Sequence, residues 1–246
     1  MKTIGRHNPL LKEVARLEQA RERRATGRFL VEGLRCLSAA ERAGFPLETV
    51  LVSPRHEELG SRWQARGAEV YLVEEELLDR AAATSTCQGV LAVARMPSAP
   101  VAWHDLVLLL DRIADPGNLG TLVRAAAAVA PCTVVVGEEG ADPYGPKAVR
   151  ASAGALFSVP LTRVLEPLPE HAVFSAVVRG GQSVFETRFP TRSLLVLGNE
   201  AHGLQELRGQ PVTLPMAAGL ESLNVAMAGT VMLYEIRRQM GFLPSG

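Results

Sequence analysis

Apolar and polar positions alternate along this chain in two regimes that meet near residue 100. In the first, the segments are short. Residues 8–24 place Leu10, Leu11, Val14 and Leu17 on one helical stripe among charges, and residues 32–43, 54–66 and 74–81 also read as helices. Residues 49–53, 70–73 and 89–94 read as strands between them, so this part predicts a small α/β domain. Residues 96–101, MPSAPV, hold two prolines and no periodicity, as a linker would. The expected organisation is a domain over 1–96, a linker over 97–103 and a second domain over 104–246.

In the second regime, residues 106–110, LVLLL, are too continuously apolar for a strand covered on one face. They predict the central strand of a parallel sheet. Further strands are expected at 132–137, 173–178, 193–198 and 212–215, alternating with helices, which is the pattern of a doubly wound, mostly parallel sheet. After the first strand, Pro116 and Gly117 form a turn, Asn118 is a candidate N-cap and a helix is expected over 119–130. The last helix, expected over 223–240 with Ser222 as its cap, is apolar on nearly every face as far as Ile236. Ala226, Ala228 and Gly229 let another backbone approach it, so self-association through this helix is expected.

Polar residues gather where three of these strands end. The first group is Asn118 with Arg124, a lone guanidinium among alanines. The second is LVLGNEAHGL, where a strand ends at Gly198, exposes Asn199 and Glu200, and leads to a short helix closed by Gly203. The third is LPMAAGLESLNVA, where a small-residue loop follows Pro215 and leads to Ser222 and Asn224. In an open parallel sheet such groups share the carboxyl edge, where ligands bind. Gly198 and the 214–219 loop offer main-chain groups with few bulky side chains between them, suited to reading an adenine edge and a ribose.

Net charge over the 246 residues is zero, but residues 1–28 carry eight basic side chains against three acidic ones. Arg21, Arg23, Arg24 and Arg28 are among them, and arginine grips phosphate and stacks on bases, so this segment points to nucleic acid. Three separated cysteines, Cys36, Cys87 and Cys132, suggest neither a disulfide frame nor a metal site. The polar N-terminus and the absence of a long apolar run give a soluble, cytoplasmic expectation with no membrane partner.

In order and spacing, DPGNLGTLVRAA, LVLGNEAHGL and LPMAAGLESLNVAMA resemble the three motifs of the SpoU/TrmH family of RNA 2′-O-ribose methyltransferases, within the SPOUT superfamily. KAVRASAGALFSVP resembles the segment that the family carries between them, and NPLLKEVARLEQARERRATGRFLVEG with TCQGVLAV resembles a substrate-binding extension related to kink-turn-binding ribosomal proteins. The resemblance implies S-adenosylmethionine as cofactor, a C-terminal trefoil knot, a homodimer and a structured RNA substrate, ribosomal before transfer RNA. It implies catalytic roles for Arg124, Asn118, Glu200, Ser222 and Asn224, and a cofactor site at Leu197, Gly198, Gly203, Leu214, Met216 and Leu223. RNA contacts are expected at Arg21, Arg23, Arg24, Arg28, Lys147 and Arg150. At Asn199 the second motif often has Ser, Ala or Pro, so that position reads as tolerant.

Two other function classes compete. A dinucleotide-dependent oxidoreductase needs a Gly-rich fingerprint after its first strand, and DPGNLG with Gly117 and Gly120 does not supply it. A non-catalytic RNA-binding or ribosome-assembly protein would have no reason to keep Asn118, Arg124, Glu200, Ser222 and Asn224 together.

Overall fold

The computed structural model describes residues 1–83, 87–98, 101–163 and 170–241. Two of the linker residues, 99 and 100, and residue 86 of the TCQGVLAV segment lie outside the described residues. Contacts divide the chain into two compact units, one of residues 1–99 with 144–157 and one of residues 100–143 with 158–246. Among the described residues no helix is long and apolar enough to cross a membrane.

The first unit runs β1 (Lys2–Thr3), α1 (Pro9–Arg16), α2 (Ala20–Thr26), β2 (Arg28–Glu32), α3 (Leu34–Arg42), β3 (Thr49–Val52), α4 (Glu57–Ala65), β4 (Glu69–Leu72), α5 (Glu75–Ala81) and β5 (Val90–Arg95). Its sheet has the order β1-β4-β3-β5-β2, parallel except where β5 pairs β2 and β3. The single helix expected over 8–24 is two, and Arg23 bridges the break. Its Nη1 turns back to donate to the carbonyls of Leu17 (2.8 Å) and Glu18 (2.7 Å), the groups left open where α1 ends. At 3% exposure, Arg23 belongs to the fold and is corrected from the expected RNA contacts.

β2 was not expected, because Phe29–Val31 is too short an apolar run to separate from its flanking charges. It forms an edge of the sheet, and an edge strand needs cover. The cover includes α7 (Pro146–Ala151), which packs on β2. Tyr144 meets Phe29 and Phe157 meets Phe45 at ring-centroid distances of 4.9 and 5.0 Å. Arg150 reaches the buried carboxylate of Glu32 at 3.1 Å. Residues 144–157 thus belong to the first unit, although a boundary at 104 assigns them to the second; contiguity in sequence cannot reveal an apolar segment that returns to an earlier sheet.

The second unit holds β6 (Leu106–Leu110), α6 (Pro116–Ala128), β7 (Thr133–Val136), β8 (Leu161–Thr162), β9 (Ala172–Ala176), β10 (Gln182–Ser183), β11 (Ser193–Leu197), β12 (Gln210–Thr213) and α8 (Val225–Gln239). Its strands run in the order β10-β12-β9-β11-β6-β7-β8, and every recorded pair is parallel. β6 and β11 lie side by side at the centre, with Leu110 opposite Leu197, and all ten of their residues are buried. Gly229 of α8 packs so closely that a β-carbon there would overlap Leu197 and Leu122, which closes α8 onto β11 and α6. The close approach expected of Gly229 is therefore made within the chain. What α8 leaves outside is a stripe at Met227, Val231 and Tyr234, each 43% exposed or more, with exposed Leu223 just before the helix.

Candidate active site

Three segments converge at the carboxyl edge of the second sheet, and helix capping places them. Asp115 caps α6: its Oδ1 accepts from the Asn118 amide at 2.9 Å, and Pro116 fills the first helical position, where no N–H is needed. The cap is three residues earlier than expected, which puts Asn118 inside the first turn and frees its side chain. At α8 the cap is Asn224, whose Oδ1 accepts from the amides of Ala226 (2.9 Å) and Met227 (3.2 Å). Ser222, the expected cap, lies exposed two residues upstream.

The freed Asn118 side chain joins the other two motifs. Its Nδ2 donates to Glu200 Oε1 at 2.9 Å, and its Oδ1 accepts from Asn224 Nδ2 at 3.0 Å. Glu200 accepts in addition from the amides of Ala114 (3.1 Å) and Asp115 (3.3 Å). Partial burial pushes the Glu200 carboxyl up, but the bonds from Asn118 and these main-chain amides outweigh it and hold the group below the usual carboxylate range.

A second set of bonds fastens the Glu200 loop to the β6–α6 loop. Asn199 Nδ2 donates to the Arg112 carbonyl at 2.9 Å, while its Oδ1 accepts from the amides of Ala201 (3.0 Å) and His202 (3.1 Å). Asn199 and Gly203 exchange main-chain bonds at 3.0 and 2.9 Å, so residues 199–203 form a closed turn rather than the expected short helix. Gly198 precedes it, where a β-carbon would stand 2.5 Å from the Gly203 carbonyl carbon. Neither Asp115 nor Asn199 is among the site residues expected from sequence. The Asp-Pro pair is the available signal for the first; the second has none for its long-range bond, which is made to the carbonyl of a left-handed Arg112 (φ 54°) that no local pattern announces.

Beside this network is a cavity of about 490 Å³, a size suited to a nucleoside-like ligand. Leu197, Gly198, Gly203, Leu214, Met216 and Leu223 all line it, as do Asn118, Glu200, Ser222 and Asn224. Arg124 does not. It is exposed on the outer face of α6, and among the described residues its guanidinium has no hydrogen-bond or ion-pair partner. Among the described lining residues the one charge is Glu200. A wall that is mostly apolar, with neutral polar groups and a single carboxylate, fits a cationic sulfonium nucleoside and is unsuited to a pyrophosphate.

Of the remaining expected RNA contacts, Arg21 and Arg24 are exposed, Arg28 is half-buried and Lys147 is exposed. Arg150 pairs with Glu32 and keeps 34% of its side chain exposed.

Residues 105–234 match the model of the SpoU rRNA Methylase family, and residues 8–92 match the MRM3-like substrate binding domain. The 23S rRNA (uridine(2479)-2′-O)-methyltransferase of Streptomyces viridochromogenes is 33% identical, over 92% of this chain and 88% of the relative. The 23S rRNA (guanosine(2553)-2′-O)-methyltransferase RlmP of Bacillus subtilis is 30% identical, over 94% of this chain and 96% of the relative. The crystal structure of the SpoU methyltransferase AviRb from S. viridochromogenes in complex with AdoMet superposes with a TM-score of 0.81 at 31% identity, covering 94% of this chain and 98% of AviRb. A matched family model over more than half its length, at the segments that build the site, makes this chain a member of the SpoU rRNA methylase family.

Proposed function

We propose that this protein transfers a methyl group from S-adenosylmethionine to the ribose 2′-hydroxyl of one nucleotide in structured RNA, and that the RNA is 23S ribosomal RNA. The observation that carries the reading is the bonded series Asn224–Asn118–Glu200 at a nucleoside-sized cavity whose one lining charge is a carboxylate. Relatives named for 23S rRNA, which this chain matches over nearly their whole length, favour that target.

When bound, S-adenosylmethionine supplies an electrophilic methyl group on a sulfonium sulfur. Leu197, Leu214, Met216 and Leu223 would hold its adenosine and exclude water, with Gly198 and Gly203 leaving the main chain open to it. Glu200 is a weak base, because its carboxylate is held ionised by three donors. Its task is orientation: it fixes Asn118, and Asn118 with Asn224 and Ser222 presents amide and hydroxyl groups to the acceptor ribose. Arg124, exposed and unpaired among the described residues, grips the nucleotide phosphate and stabilises the alkoxide as the hydroxyl proton leaves to water.

A homodimer and a trefoil knot belong to the same proposal. The exposed stripe on α8 supports the first. For the second, β12 lies beyond β9 as seen from β11, so the chain crosses outward after Leu197 and returns at α8 to pack on α6 and β11. The first unit, with the kink-turn-protein fold that its sequence resembles, supplies RNA affinity through Arg21, Arg24, Arg28 and Lys147.

The test uses the full chain with methyl-labelled S-adenosylmethionine and ribosomal RNA from cells lacking this protein. Label at one nucleotide, with the adjacent phosphodiester resistant to alkali, is expected. Label on a base, or label on transfer RNA alone, would overturn the reading.

A further inference from the structure

The cavity does not occupy the carboxyl edge of the second sheet alone. β10 is the edge strand and runs parallel to β12, so it ends on the same edge as the strands that open into the cavity. A tight turn built on Ser183 follows it. The Ser183 carbonyl accepts from the amides of Glu186 (3.0 Å) and Thr187 (2.9 Å) and from the Thr187 hydroxyl (2.8 Å), and its own Oγ accepts from the Phe185 amide at 3.3 Å. The turn buries Val184 completely and Thr187 almost so, and it holds Phe185 outward with 57% of its surface exposed.

Thr213 ties this turn to the cavity. Its carbonyl accepts from the Val184 amide at 2.9 Å, and its hydroxyl donates to the Val178 carbonyl at 3.0 Å. Thr213 and Val178 both line the cavity, and Val178, 51% exposed, stands at its rim. Arg179 comes next in the chain. Arg188 leaves the far side of the turn between buried Thr187 and Phe189. Both guanidiniums are exposed and form no ion pair or hydrogen bond among the described residues; Glu186 is the one acid on the turn.

A single exposed aromatic needs no explanation by itself. Here the backbone that carries the ring is held by four bonds to one serine, Arg188 follows three residues on and Arg179 next to Val178, and one threonine joins the turn to the rim of the cavity where the acceptor ribose must arrive. The cavity wall is negative, so the phosphates of a nucleic-acid strand have to be held outside it. Unstacked RNA bases lie on exposed aromatic rings, with arginines on the flanking phosphates.

We propose that Phe185, Arg179 and Arg188 form the platform on which a nucleotide adjoining the methylated one is stacked and its phosphates are held. The proposal rests on the reading of this site as an RNA methyltransferase.

The full chain, Phe185→Ala, Phe185→Trp and the double variant Arg179→Ala/Arg188→Ala are to be compared in methyl transfer to ribosomal RNA and in calorimetric titration with S-adenosylmethionine. Phe185→Ala is expected to raise KM for RNA roughly tenfold, the value of one lost stacking contact, with kcat at saturating RNA and cofactor affinity unchanged. Phe185→Trp should keep the parental KM. The double arginine variant should bind RNA with a salt dependence shallower by about 1.4 powers of concentration, the share of two single-strand phosphate contacts. A parental KM in Phe185→Ala overturns the platform, as does a fall to monomer in ultracentrifugation, which would make the patch a contact between copies. If the parent itself transfers no methyl to RNA, it is the function that fails; if the parent is active and the variants match it, only the platform does.

Discussion

Asn118 Nδ2 donates to Glu200 Oε1 at 2.9 Å, joining the first turn of α6 to the loop after β11 across 82 positions of sequence. Neither residue could do its work alone: without Glu200 the amide of Asn118 keeps only its bond from Asn224, and without Asn118 the carboxylate loses the side-chain donor that lowers its pKa. Glu200→Gln puts an NH₂ where a donor already points, at Ala114 or at Asn118. We expect kcat to fall about 100-fold, the scale of a misplaced reacting group, in single-turnover assays.

The same carboxylate sets a pH dependence. Its folded pKa is below the ordinary value, so its stabilisation is present above the ordinary carboxylate pKa and is lost as pH falls through the lowered one. Denaturant titrations between about pH 3 and pH 7 should show this acid-side loss in the parent and less of it in Glu200→Gln.

Two glycines of one turn separate steric need from conformational need. Gly198→Ala forces a β-carbon to 2.5 Å from main-chain atoms that cannot yield, so cofactor affinity should drop by more than tenfold in calorimetry. At Gly203 there is open space but φ is +66°, so Gly203→Ala should cost about 1 kcal/mol of stability and leave cofactor binding in place.

Glu32 is buried in the first unit, and burial raises its pKa even with Arg150 beside it. A raised carboxylate loses stability as pH climbs from the ordinary value through the raised one. Arg150→Ala should therefore destabilise by about 3 kcal/mol at pH 8 and less at pH 5, and adding Glu32→Gln should restore most of it. Equal loss at both pH values in thermal unfolding would contradict this.

A proline-bearing linker near residue 100 invites the expectation that residues 102–246 fold alone. The aromatic partners of Tyr144 and Phe157 are Phe29 and Phe45, which such a fragment lacks. It should expose that surface, bind a hydrophobic dye and aggregate, whereas the full chain does neither; a monodisperse, cofactor-binding fragment would show instead that residues 102–246 fold alone and overturn this prediction.

The outward stripe on α8 gives the oligomer test its residues. Val231→Lys or Tyr234→Glu should yield folded monomer in ultracentrifugation. Gly229→Lys should unfold the domain instead, because that position faces Leu122 and Leu197.

Strand β6, its neighbours β7 and β11, and the gathering of polar groups at their ends are legible because a buried parallel strand is apolar on both faces and ends in its loop; β9 and β12, farther out in the sheet, are legible as short apolar runs. What escaped has a common cause. β10 and β8 are two residues each, too short to carry a period. Arg23 and Arg150 read as solution charges because a sequence does not say which carbonyl or carboxylate lies within reach. Asn118 and Ser222 were read as caps on good propensity, and in both cases another residue, Asp115 or Asn224, holds the post.

Asn224 starts α8 with one end of its amide and meets Asn118 with the other, so the helix and the polar series beside the cavity are completed by a single residue. A chain still emerging from the ribosome, with everything through β12 in place, has its cavity floor but no Asn224 against Asn118. The Asn224–Asn118–Glu200 series therefore closes only once Asn224 itself has been made, after every other residue of the series.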